Sequence, residues 1–135
     1  MSNNENSIAQ KVADKSYISF TAESMEDKIK LYNAINSAKY KISDMINKVI
    51  NIRDVVLKEV MLVDEKTGEA TPQMRSIIID DKGDTYAATS SGVYSSLTNI
   101  LTVFGTLHFE DGLKVTVEQK ATKRGSTLNL AIVSK

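Results

Sequence analysis

Lys114, Lys120, Lys123 and Arg124 are the residues of this chain whose type and spacing most directly suggest a chemistry. Leu113, Val115 and Val117 alternate with Lys114, Thr116 and Glu118, a period of two that puts the lysines on the polar face of a half-buried strand. The alternation resumes with Leu128, Leu130 and Ile132, and between the two runs lies Ala121-Thr122-Lys123-Arg124-Gly125-Ser126. Gly125 supplies the positive φ that a tight reversal needs, so the segment predicts a β-hairpin with Lys123 and Arg124 on its tip. A sheet face carrying Lys114 and Lys120, extended by a cationic loop, suits a polyanion. The plainer alternative is a solvated hairpin tip.

Single nucleic-acid strands are held by a cationic groove together with aromatic rings on which bases stack. Tyr86, Tyr94 and Phe109 are the candidate rings, and Arg53 and Arg75 would extend the cationic track. Each has a structural alternative. A strand tyrosine such as Tyr86 also anchors its hydroxyl at a sheet edge, and Arg53 could pair with its neighbour Asp54. Phe104 and Tyr32 fall on apolar helical stripes and are expected in the core.

Catalysis is harder to build. His108 is the only histidine, beside Leu107 and Phe109, with no second histidine and no Ser/His/Asp grouping to support it; it reads as a surface or packing residue. Asp80, Asp81 and Asp84 faintly resemble a calcium loop, but Ser91 and Gly92 lie where the closing glutamate should be, so turn chemistry is the expected role. There is no cysteine and no phosphate-binding glycine motif. No enzyme, cofactor or metal is expected.

The elements that must position the cations follow from periodicity. Ser24 offers an N-cap with Glu26 and Asp27 in the first turn, and Met25, Ile29, Tyr32 and Ile35 predict a helix over 25–38. Tyr17, Ile18 and Phe20 predict a short strand before it. Residues 49–63 are dense in β-branched side chains and predict a long strand. Ile50 and Ile52 share one parity and Val55 and Leu57 the other, so a bulge near Arg53-Asp54 is required. Turn residues at 66–69 lead to a second strand over 74–79, with Pro72 excluded from any central ladder. Residues 80–84 close a hairpin onto a third strand, 85–88. A helix capped by Ser90 or Ser91 then carries Val93, Leu97, Ile100, Leu101 and Phe104 on one stripe and stops at Gly105.

Three strands, a helix and two strands is the order of an oligonucleotide-binding barrel. The fold class expected is α+β, mainly β: an OB-like five-stranded barrel or curved sheet with two helices. The domains expected are a flexible N-terminal arm at 1–15, polar and rich in asparagine and serine, and one OB-like nucleic-acid-binding domain at 16–135. Formal net charge is zero, which argues against a bulk electrostatic grip on nucleic acid. From Leu113 onward, however, four lysines and one arginine face a single acid, Glu118. No apolar run approaches the roughly 20 residues of a membrane helix, and the absence of disulfides suits a reducing compartment.

Three segments resemble a known family, the small single-stranded-DNA-binding proteins of tailed phages that replicate linear DNA by protein priming in Gram-positive bacteria. The first is gapless from Phe20 to Ala34: Phe-x-x-Glu, a small hydroxyl, an apolar residue and Glu, then Ile-Lys-apolar-aromatic-Asn-Ala. The second runs from Asp81 through Gly83, Tyr86 and Ala88 into the helix at Val93. The third is Leu113-Lys114-Val115-Thr116-Val117-Glu118-Gln119 followed by Lys123 to Ile132. They cover most of residues 17–133 in family order. The chain departs from the pattern at 38–51, which is longer and richer in lysine and isoleucine than the glycine-bearing link of the family.

The resemblance implies a non-enzymatic protein in the cytoplasm of a bacterial host that coats and protects single strands displaced during phage DNA replication. Its partners would be single-stranded DNA and the phage DNA polymerase or replication machinery. The competing expectation is a phage protein-interaction module without nucleic-acid activity. A metal-assisted nuclease built on Asp80, Asp81 and Asp84 is the remote third.

Overall fold

A computed structural model of the protein describes residues 16–123 and 125–133; the expected arm at 1–15 and the tip residue Arg124 lie outside the described residues. In chain order the elements are β1 (Ser16–Ile18), α1 (Met25–Asn36), β2 (Tyr40–Lys41), a 3-10 turn (Ile42–Met45), β3 (Val49–Val63), β4 (Ala70–Asp80), β5 (Thr85–Ala88), α2 (Ser91–Phe104), β6 (Leu113–Thr122) and β7 (Gly125–Ile132). The strands form one sheet in the order β2-β5-β4-β3-β6-β7, with β1 also paired to β3.

β3 organises the sheet. Its register against β4 steps from Ile52↔Asp80 to Asp54↔Ile79, which leaves Arg53 as an extra residue in a bulge. The step reconciles the two parities: Ile50 and Ile52 before it, and Val55 and Leu57 after it, all enter the same core. On one edge β3 pairs with β4 along most of its length. On the other it pairs with β6 through Val49–Ile52 and then with β1 through Val56–Lys58. Among the described residues no strand flanks β3 beyond Lys58 or β4 before Ser76, so there residues 59–63 and 70–75 pair with each other as a two-stranded arm. Pro72 sits in that arm, where β4 has no second neighbour for a missing N–H to disappoint.

The strongly curled sheet encloses the main core, with α2 as its plug: Val93, Leu97 and Ile100 are buried among Ile50, Ile52, Val55, Ile78, Val115 and Val117. Ser90 caps α2 by accepting from the Val93 N–H at 3.3 Å, and Gly105 ends it at φ 77° with its N–H on the Leu101 carbonyl. β5 and β7 do not pair, so the barrel is half open. α2 lies along the free edge of β7, where the Leu130 N–H donates to Ser96 Oγ at 3.1 Å and Ser96 Oγ donates to Asn129 Oδ1 at 2.9 Å. The result is an OB-like α+β fold, mainly β, with two helices, as the element order predicts.

α1 packs on the opposite face of the sheet. Its buried residue is Ala34, flanked by Leu31 and Ile35, against Val56, Ile77 and Ala87. The helix starts at Met25 with the expected cap, Ser24 Oγ accepting from the Asp27 N–H at 3.0 Å, and ends at Asn36 rather than 38. Its buried face is not the expected one. Met25, Ile29 and Tyr32 are exposed, Tyr32 by 64%, and only Ile35 of that stripe turns inward. A small residue at the contact lets the helix axis approach the sheet, and Ala34 is that residue. Phe104 corrects the second stripe in the same way: it is 47% exposed at the last turn of α2. The sequence also gave no sign of β2, which pairs with β5 in parallel through Tyr40↔Tyr86 and Lys41↔Ala87. Among the described residues no helix is long and apolar enough to cross a membrane.

A Cβ on Gly92 would collide with the backbone carbonyl oxygen of Leu128, so the contact that seats α2 on β7 requires glycine. Gly92→Ala is expected to destabilise the protein by about 1–3 kcal/mol, the usual range for overpacking. Urea denaturation checks this, and an unchanged midpoint would mean that α2 is not seated so closely.

Candidate nucleic-acid interface

The pleat decides which face of β6 meets solvent. Val115 and Val117 are fully buried, so Lys114, Thr116, Glu118 and Lys120 point to the exterior. Lys114 lies opposite Asn51 of β3 and Lys120 opposite Thr127 of β7. Both lysines are exposed and neither has an ion-pair partner among the described residues. Glu118, between them, is engaged by Asn129 Nδ2 at 3.4 Å. Lys123 is exposed at the turn that joins β6 to β7, which extends the row to the hairpin tip. The structure therefore brings Lys114, Lys120 and Lys123 together along one strand.

Arg53 joins this row from β3. As the bulge residue it is exposed, two positions beyond Asn51 on the edge that β6 pairs. It is not paired with Asp54. That carboxylate instead accepts from Ser19 Oγ and pairs with His108 Nδ1, each at 2.7 Å on Oδ1, while Ser19 Oγ accepts from the Val55 N–H at 2.9 Å. His108 thus belongs to a clamp that ties the end of β1, the bulge and the loop before β6 together. No spacing in the sequence announces this, because Ser19, Asp54 and His108 are 35 and 54 positions apart pairwise through Asp54.

The aromatic candidates occupy different depths. Tyr86 is 7% exposed. Its ring stacks on Tyr40 with centroids 5.2 Å apart and planes at 24°, and its hydroxyl donates to Asp80 Oδ2 at 2.8 Å. Tyr94 is half-buried against the main core. Phe109 is also half-buried, its N–H on the Arg53 carbonyl at 2.9 Å, and its ring meets that of Phe104 edge-on at 5.6 Å. The surface aromatic next to the cationic row is therefore the Phe104–Phe109 pair, and Phe104 is the residue sequence reasoning assigned to the core. Tyr40 is a further surface ring, with Lys39 Nζ 5.2 Å from its centroid. Arg75 stands apart, on β4 opposite Lys58.

The acidic cluster does turn chemistry. Asp80 Oδ1 accepts from the N–H groups of Lys82 and Asp84, both at 2.9 Å, and its other oxygen holds Tyr86. Asp84 pairs with Lys39 Nζ at 3.2 Å, which raises the lysine pKa above its ordinary value. α1 fixes what remains for a ligand. It covers the exterior of β4 and β5, the face that takes oligonucleotides in OB-folds, and leaves open the exterior of β6, β7 and the start of β3.

A family model described as phage single-stranded DNA-binding protein matches residues 10–133 of the chain. No curated protein and no solved structure matches it.

Burial, then the hydrogen bond to Asp80, pushes the Tyr86 phenol above its ordinary value. The folded state therefore holds that proton more tightly than the unfolded chain. The stability this contributes is fully present below about pH 10 and is lost as pH rises through the higher folded value. Tyr86→Phe is expected to cost about 1.5–3 kcal/mol at neutral pH, as for a hydrogen bond to a charged group, and to remove that component of the alkaline loss. Urea unfolding of both proteins from neutral to alkaline pH checks it; parallel alkaline slopes would mean that the phenol is not protected.

Proposed function

The chain belongs to the phage single-stranded DNA-binding protein family, and from that premise we propose that it binds single-stranded DNA without sequence preference and coats strands displaced during phage DNA replication. The match over residues 10–133 is the observation that carries the reading. The exterior of β6 supports it physically. Lys114, Lys120, Lys123 and Arg53 are exposed cations without ion-pair partners among the described residues, spaced along β6, its turn and the bulge of the neighbouring β3, and a phosphate backbone is an extended row of anions. Arg124, next in sequence after Lys123, adds a cation to the proposal. Because lysines contact phosphates as point charges, such a row carries no base code, which fits sequence independence.

Bases would meet the Phe104–Phe109 pair, which the Phe109 N–H holds beside Arg53. Tyr86 contributes from beneath the surface by backing Tyr40, and Tyr94 by packing α2 into the barrel. The protein acts by covering the strand, not by chemistry on it, inside the bacterial host where the phage polymerase works. Neutral net charge keeps long-range attraction low, so contacts must be made locally and the salt dependence is correspondingly modest.

Anisotropy of a labelled oligothymidylate tests the reading. Saturable binding is expected, reversed by salt and much weaker for duplex DNA. Replacing Lys114, Lys120 and Lys123 together with glutamine should make the log–log salt slope shallower by about 2, at roughly 0.7 per lost contact. Phe104→Ser should weaken binding by about 1–3 kcal/mol at an unchanged slope. An unchanged slope in the triple variant removes the β6 row from the site, and no binding by the wild-type protein at low salt removes the function.

A further inference from the structure

The register of the sheet holds one pair that breaks the rules of strand pairing. Lys58 of β3 lies directly opposite Arg75 of β4, and it is the only register pair among the described strands in which both residues are charged. Opposite residues on one face of an antiparallel pair have Cβ atoms about 4.5–5.5 Å apart, and like charges there destabilise the sheet. Both side chains are half-buried, which weakens screening by solvent.

Among the described residues no register neighbour relieves the repulsion. The same-face neighbours along the two strands are Val56 and Val60 on β3 and Gln73 and Ile77 on β4; across the other edge of β3, Lys58 faces Ser16 of β1. Neither cation has a hydrogen-bond or ion-pair partner among the described residues. Two positions further in, Val56 and Ile77 pass under α1, so the pair sits at the border between the helix-covered sheet and the protruding arm. Two half-buried cations held side by side by a ladder, with apolar and neutral register neighbours, are suited to an anion. A local violation without an internal compensation is characteristic of a functional position.

We propose that Lys58 and Arg75 together bind a backbone phosphate of the nucleic-acid strand, as a second contact separate from the β6 row. The assignment rests on the proposed function for the identity of the anion's carrier, whereas the anion site itself stands on the register alone. Arg75 offers a fork of N–H donors to two phosphate oxygens and Lys58 a point charge to the same group. The strand would therefore touch the protein at both sides of β3, which enlarges the stretch of DNA that one molecule covers.

Two measurements on Lys58→Gln test this, with Lys66→Gln in the β3–β4 turn as the control of equal charge change. Without DNA, the Lys58→Gln protein is expected to melt about 1–4 °C higher than wild type, because a like-charge pair has been removed. Inorganic tripolyphosphate should raise the Tm of wild type and of Lys66→Gln but not of Lys58→Gln. With oligothymidylate, Lys58→Gln should bind more weakly with a salt slope shallower by about 0.7. A gain of stability with a loss of binding is a result that a merely structural lysine does not give.

Equal tripolyphosphate shifts in wild type and Lys58→Gln overturn the anion site. A normal slope and affinity for Lys58→Gln, beside a shallower slope for the β6 triple variant, overturns the second contact and leaves the proposed function standing. If the wild-type protein binds no strand, the proposed function fails and the phosphate carrier with it, even where the tripolyphosphate shift depends on Lys58.

Discussion

One inserted residue governs this structure. Arg53 is the bulge that lets β3 change which parity faces the main core, so that Ile50 and Ile52 on one side and Val55 and Leu57 on the other fill the same interior. A slip of one residue in a strand turns its whole apolar set to the opposite face. Without the bulge, half of β3 would present its isoleucines or its valines to solvent. The same insertion bends the strand, which lets β6 pair with its first part and β1 with its second along a single edge. The clamp of Ser19, Asp54 and His108 is built on the residue after the insertion, and it joins three segments at the place where the ladder is weakest. The bulge also exposes a guanidinium that has no ion-pair partner among the described residues. Geometry that the core demands thus delivers a cation to the surface.

The second constraint is α1. Sheets of this kind need cover wherever their exterior is apolar, and Val56, Ile77 and Ala87 supply an apolar patch that Ala34, Leu31 and Ile35 complete. That cover occupies the exterior of β4 and β5. A polyanion is left with the exterior of β6 and β7, where the lysines lie, and with the margin of the helix at Lys58 and Arg75. Net charge of zero is then no obstacle, because several acids are engaged elsewhere: Asp54 in the clamp, Asp80 and Asp84 in the turn before β5, Glu26 and Asp27 at the N-terminus of α1. What a nearby phosphate senses is the local surface, since charges beyond about 8–10 Å are screened.

Most of the framework was legible in the sequence. Alternation marked β6 and β7, the clash of parities located the bulge, and Ser24, Ser90 and Gly105 set the helix ends, because each is a local rule acting within a few residues. What failed was orientation. Met25, Ile29 and Tyr32 satisfy helical spacing as well as Leu31, Ala34 and Ile35 do, and only the sheet's need for close approach selects the stripe with alanine. Phe104 was misread because the last turn of α2 overhangs the barrel, a matter of helix length against core width. β2 has two residues, too few for any period, and the His108–Asp54 pair joins positions 54 apart. The exposed face of Lys114 and Lys120 was legible because strand parity alone fixes it; the Lys58–Arg75 juxtaposition needed the register, which no single strand contains.

Two designs of cationic surface therefore coexist in one small sheet. Along β6 the lysines are spaced by Thr116 and Glu118, so the free protein bears little repulsion and each contact is independent. At Lys58 and Arg75 they are forced together by the ladder, so the free protein stores repulsion that an anion would release. An anion that binds there gains the Coulomb attraction and also the relief, which makes the pair the more selective of the two for a phosphate. The cost is a less stable sheet in the absence of DNA, localised where the arm leaves the body and no strand flanks it among the described residues. An anion bound at Lys58 and Arg75 would thus raise local stability at the base of the arm, in the measure that the repulsion is relieved.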